Sequence, residues 1–139
     1  MPDVNIIVAA MRVDSPHHAV AWGWLERALE SDETVGLTSA VATGAVRVVA
    51  NRRVFNAPWS TEEAISFVDD ILSSPNVTRV EPGPRYWDLF SALCLEHRAT
   101  GDLVSDIAHA ATAIEHGATW VSFDRDFARF DSLRWELPT

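Results

Sequence analysis

The sequence predicts an α/β fold, with a central parallel sheet of four to five strands flanked by helices on both faces. Three observations lead there. Short apolar runs alternate with longer segments of helical periodicity, the helical segments carry start and stop residues, and acids stand at the ends of apolar runs. With 139 residues, 47% of them hydrophobic, the chain can bury a core without disulfides or a structural metal. A single domain over residues 1–139 is expected.

Residues 3–10 form a short apolar segment headed by Asp3 and are expected as the first strand. Ser15 and Pro16 then mark a helix start, as cap and first helical residue, and Val20, Trp24, Leu25, Ala28 and Leu29 recur at helical spacing. Residues 34–37 read as a strand, and residues 39–50 as a buried helix that runs out in Asn51, Arg52 and Arg53. Residues 60–63 have the form of a capping box, followed by the stripe Ala64, Ile65, Val68, Ile71 and Leu72. A strand at 77–80 ends before Pro82, and a helix spans 86–98. The helix at 105–116 stops at Gly117, a strand covers 119–122, and 133–137 reads as a short edge strand.

Composition excludes several chemistries. All eleven basic residues are arginines, so there is no lysine for a Walker A loop or a Schiff base, and a phosphoacceptor signalling domain is disfavoured. Cys94 stands alone, which rules out an internal disulfide and suggests a reducing, cytoplasmic setting. No secretory leader or membrane-spanning run is apparent, so a soluble, unexported protein is expected. The five histidines lack zinc spacing and read as surface or helix-face residues. A net charge of −9 repels a polyanion, so RNA would bind only through bound cations and a local arginine patch; a basic protein partner fits equally well.

The residues with chemical potential are aspartates. Asp3, Asp106 and Asp124, with Asp102 and Asp126 in support, converge if the sheet is parallel, because sites in such sheets form at the carboxyl ends of strands. Carboxylates so placed suit a hard divalent cation, which can polarise a phosphoryl group without lysine or cysteine. Each acid also has a plainer explanation. Asp106 can complement a helix dipole, and Asp124 and Asp126 can shape a turn. Asp3 has no obvious capping role ahead of a strand. Arg125 and Arg129 flank Asp124 and are weak candidates for RNA phosphate, whereas Arg47, Arg52 and Arg53 read as solvated surface.

Asp3 with Asn5, Asp106 opening an alanine-rich helix, and Ser122-Phe-Asp-Arg-Asp-Phe127 together resemble the PIN-domain VapC family, in an order that runs almost end to end. The resemblance implies a PIN-like fold and a toxin endoribonuclease that depends on Mg²⁺ or Mn²⁺. It also implies RNA substrates of the tRNA or rRNA class, a homodimer, and neutralisation by a VapB antitoxin. By position, Asp3, Asp106 and Asp124 match the family's catalytic, metal-holding acids, Asp126 a further metal ligand, and Asn5 the small polar residue after the first acid. One departure stands out. The family commonly places a glutamate after the second strand, but residues 34–61 hold no acid, and Gly44 lies near the expected position. The alternative is a PIN-like module that binds RNA or antitoxin without cleaving.

Overall fold

The computed structural model describes all 139 residues. In chain order they form α1 (Val4–Met11), α2 (His18–Glu30), β1 (Val35–Thr38), α3 (Ser39–Val49), α4 (Thr61–Leu72), β2 (Val77–Val80), α5 (Tyr86–Glu96), α6 (Asp102–Glu115), β3 (Thr119–Val121), a 3₁₀ turn (Arg125–Arg129) and β4 (Arg134–Glu136). The α/β class and parallel pairing are as expected, but the strands are short and fall into two ladders. β1 pairs with β2 from Val35↔Val77 to Thr38↔Val80, and β3 with β4 from Thr119↔Arg134 to Val121↔Glu136. α3 packs on β1, α4 on β2 and α6 on β3. No helix is long and apolar enough to cross a membrane.

The first apolar segment is a helix and not the strand its composition suggests. Val4, Ile6, Ile7 and Val8 favour extended backbone by local propensity. Tertiary burial overrides that preference: Ile6, Ile7, Ala9, Ala10 and Met11 are buried, and α1 packs between α2 and α3. Only Pro2 remains in ladder geometry, as a single parallel bridge to Val121. The Val121 amide donates to the Met1 carbonyl and the Asp3 amide to the Val121 carbonyl, each at 2.9 Å. These bonds fix the start of α1 at the carboxyl end of β3.

Two other helix starts differ from the sequence reading. α2 begins at His18, because the Ser15 hydroxyl accepts from the His17 amide at 3.2 Å in a local turn instead of capping a helix at Pro16. α6 begins at Asp102, a turn earlier than expected, after Gly101 reverses the chain at φ 57°. Asp102 and Asp106 therefore stand four residues apart on one helix face. The capping box of α4 forms as read, with the Glu63 amide donating to the Ser60 hydroxyl and the Ser60 amide to the Glu63 carboxylate. A continuous core of 24 buried residues joins the elements, with Trp120, Phe127, Phe130, Ile6, Ile7 and Leu37 among its largest members.

Candidate active site

Asp3 is the N-cap of α1, which gives it the capping role its sequence setting did not suggest. Its extended backbone lets Oδ1 accept from the Val4 amide at 2.6 Å. Oδ2 accepts from Asn5 Nδ2 at 2.9 Å and from Ser122 Oγ at 2.6 Å. Ser122 is fully buried and acts as a hub, since its hydroxyl also accepts from Asn5 Nδ2 at 2.9 Å and from the Asp124 amide at 3.0 Å. Asn5 Oδ1 in turn accepts from the Phe123 amide at 3.3 Å. The start of α1 and the segment after β3 thus form one polar network, built from residues nearly the whole chain apart.

Asp3, Asp106 and Asp124 line a single cleft of about 590 Å³, shared with Asn5, Arg12, His17, Phe55 and Phe123. Asp3 is only 8% exposed. Burial pushes its carboxyl above the ordinary range, more than the Ser122 hydrogen bond and the nearby His109 draw it down. Asp106 sits half-buried on α6 and has no hydrogen-bonding group to hold its charge. Burial raises it first, and repulsion from Asp124, Asp3, Asp102 and Asp126 raises it further. Asp124 is exposed and caps the 3₁₀ turn by accepting from the Asp126 amide at 2.8 Å.

Asp102 and Asp126 are exposed and lie outside the cleft lining, within electrostatic reach of Asp106. Arg125 and Arg129 are also exposed and do not line the cleft, and Arg129 stands 4.0 Å from Asp126. A larger cavity of about 710 Å³ beside β1 and β3 contains none of these aspartates.

The structure adds residues the sequence reading missed. Arg12 is 7% exposed, grips Asp14 through two nitrogens at 2.8 and 2.5 Å, and donates to the Ala57 carbonyl at 2.5 Å. Its guanidinium lies 4.3 Å from the ring centre of Phe55. His17 stacks on Phe123 with ring centres 4.4 Å apart. Ser122 enters the sequence reading only as the first residue of the Ser122–Phe127 motif, with no role of its own, because its partner Asp3 lies 119 positions away. For Arg12, the only local signal is the acid two positions on, at Asp14, which the sequence reading leaves unused. Opposite α1, the Gly44 position explains the missing acid in packing terms: a Cβ there would stand 2.8 Å from Val4 Cγ2, so α3 approaches α1 where a larger residue has no room.

The acids that line the cleft offer carboxylate oxygen, the chemistry of a hard divalent cation. No three His, Cys, Asp or Glu side chains close into a ready-made cage. The set fits an ion that keeps several waters, as Mg²⁺ does, and does not fit a closed zinc-type site.

An α/β domain with aspartates gathered at the end of a parallel strand is the architecture of a PIN domain, and the PIN-domain profile matches residues 1–133. The chain belongs to the PIN-domain family, among its VapC ribonucleases. Ribonuclease VapC43 of Mycobacterium tuberculosis is 46% identical over 136 residues, covering 98% of this chain and 92% of that protein. Ribonuclease VapC25 of the same organism is 39% identical, covering 98% and 96%. Among solved structures, VapBC2 from Rickettsia felis bound to a promoter DNA fragment matches with a TM-score of 0.69 at 23% identity, over 99% of this chain and 96% of that one. VapBC-1 from nontypeable Haemophilus influenzae matches with a TM-score of 0.67 at 15% identity, over 98% and 95%. At such identities these two speak for the fold.

Proposed function

We propose that this chain is a toxin endoribonuclease that cleaves RNA phosphodiester bonds with the help of Mg²⁺ or Mn²⁺, and that a VapB-type antitoxin neutralises it. The observation that carries this reading is the convergence of Asp3, Asp106 and Asp124 on one cleft, with Asp106 left short of hydrogen-bond donors among like charges. Asp3, Asp106 and Asp124 would hold the cation, with Asp126 and Asp102 adding charge from the rim. When bound, such an ion polarises the phosphoryl group and lowers the pKa of its water.

The chain's own residues supply the positioning. Asn5 and Ser122 fix the Asp3 carboxylate, and Ser122 also fixes the Asp124 backbone. Asp106, half-buried on α6 and without a hydrogen-bond donor of its own, would present its carboxylate to the cation from outside Asp3's network. Relatives named ribonuclease at 46% and 39% identity support the activity.

The solved VapBC assemblies support an antitoxin partner. Such a partner would place an arginine or lysine against the cleft acids, excluding the cation by charge competition. Exposed apolar residues on α2 and α4, Val20, Trp22 and Ile65, offer a surface for homodimerisation. The test is cleavage of a mixed tRNA and rRNA pool in Mn²⁺ by the wild type and by Asp106→Asn. The wild type should cleave, and the variant should lose about a hundredfold or more. If the wild type fails to cleave in Mn²⁺, or the variant cleaves equally well, the chain is a binding module instead.

A further inference from the structure

The cleft contains more aromatic surface than an ion site needs. His17 is exposed, lies just ahead of α2, and rests on the half-buried Phe123 at 4.4 Å with 30° between ring planes. Phe123 is held in place through its amide by Asn5, the residue that also donates to Asp3. Phe55, half-buried and backed by the Arg12 guanidinium, is a third ring in the same lining. Arg12 is itself fixed by Asp14 and by the Ala57 carbonyl, so this ring is carried on an anchored loop. None of the three rings is closed into the core, unlike Trp120, Phe127 and Phe130, which are fully buried.

We infer that the cleft beside Asp3, Asp106 and Asp124 contains a nucleobase-stacking subsite, with His17 as its platform and Phe123 as its support, that selects an unpaired RNA nucleotide next to the scissile bond. This rests on the ribonuclease reading and deepens it by naming the two side chains that would hold a base beside the scissile bond. The chemistry is general. An unpaired base presents a π-face that stacks on aromatic or arginine planes, whereas a base inside an A-form helix is stacked on its neighbours and cannot reach such a platform. The acids hold the phosphate side of the nucleotide through a cation, and the rings hold its base side. His17 projects from the rim, where the outer face of its ring is free of the core.

The probe is a single-stranded RNA oligonucleotide carrying 2-aminopurine at successive positions, bound to Asp106→Asn protein so that no cleavage occurs. Stacking quenches this fluorophore. Quenching should concentrate at one position, fall several-fold in Asp106→Asn/His17→Ala, and return in Asp106→Asn/His17→Phe, which keeps a ring. In the cleavage-competent background, His17→Ala should raise KM for an unpaired site about tenfold or more, the scale of one lost base stack. Phe123→Leu, which keeps apolar volume without a ring, should act in the same direction. Uniform quenching, quenching that survives His17→Ala, or equal cleavage of paired and unpaired strands overturns the subsite. Wild-type protein that cuts no RNA in Mn²⁺ overturns the ribonuclease reading instead, while the quenching pattern still decides the subsite.

Discussion

Carboxylates do opposite work at two places in this molecule. Near the end of α6, the Glu115 carboxylate accepts from the amides of Gly83 and Arg85, both at 2.7 Å, and so closes the turn after β2. In the acid cleft, Asp106 has no such donors and faces four other aspartates. Glu115 is held below the ordinary range once its hydrogen bonds outweigh desolvation, whereas Asp106 is pushed above it by burial and repulsion. The number of acids does not separate the two places. A carboxylate supplied with N–H groups is structural, and one denied them in a cleft is available to a cation. Asp3 belongs to both kinds, since it caps α1 and lines the cleft.

That double role gives the largest expected effect. Asp3→Ala removes the acceptor of the Val4 amide, Asn5 and Ser122, and should cost roughly 1–3 kcal/mol of stability together with RNA cleavage. Urea unfolding and a cleavage assay would measure the two losses; a variant that loses cleavage at unchanged stability would show that the network is not structural. Gly44→Ala comes next. The added methyl meets Val4 across the α1–α3 contact, so a loss of about 1–3 kcal/mol is expected from overpacking, readable as a lower denaturant midpoint.

A smaller effect of opposite sign should follow from Asp106→Asn without divalent ions. The Asp106 carboxyl is raised in the folded chain, so its penalty is absent below the ordinary value of 3.8, where it is protonated whether folded or not. The penalty grows as pH rises through the folded value and persists at neutral pH. Asp106→Asn should therefore raise Tm at pH 7 by an amount worth under about 1 kcal/mol, since solvent screens a half-exposed group, and the gain should vanish near pH 3. A variant less stable than the wild type at pH 7 would contradict the repulsion. Glu115→Gln should have the smallest effect, a slight drop in Tm from a loosened turn with cleavage unchanged.

Local signals made some of this legible from the sequence. The α4 capping box needs only Ser60 and Glu63 three residues apart, and β2 is bounded by nearby breakers, so both were readable. The helix α1 was not, because four β-branched residues in five positions favour a strand, and the contacts that make it a helix come from α2 and α3. The candidate acids could be named because Asp is the residue type such chemistry requires. Ser122, Phe55, Phe123 and His17 acquire meaning only when distant segments meet, and Gly44 only when α3 approaches Val4. The double ladder was equally hidden, since short apolar runs reveal strands but not which edges they pair.

The most direct test of the contrast between supplied and unsupplied carboxylates is calorimetric titration of Mn²⁺ into wild type, Asp106→Asn and Glu115→Gln proteins. Binding should appear in the wild type, persist in Glu115→Gln and fall about tenfold or more in Asp106→Asn, the scale set by losing one carboxylate partner of the ion. Mn²⁺ binding that is unchanged in Asp106→Asn, or that falls with Glu115→Gln, would contradict the assignment of the cleft acids as the cation site.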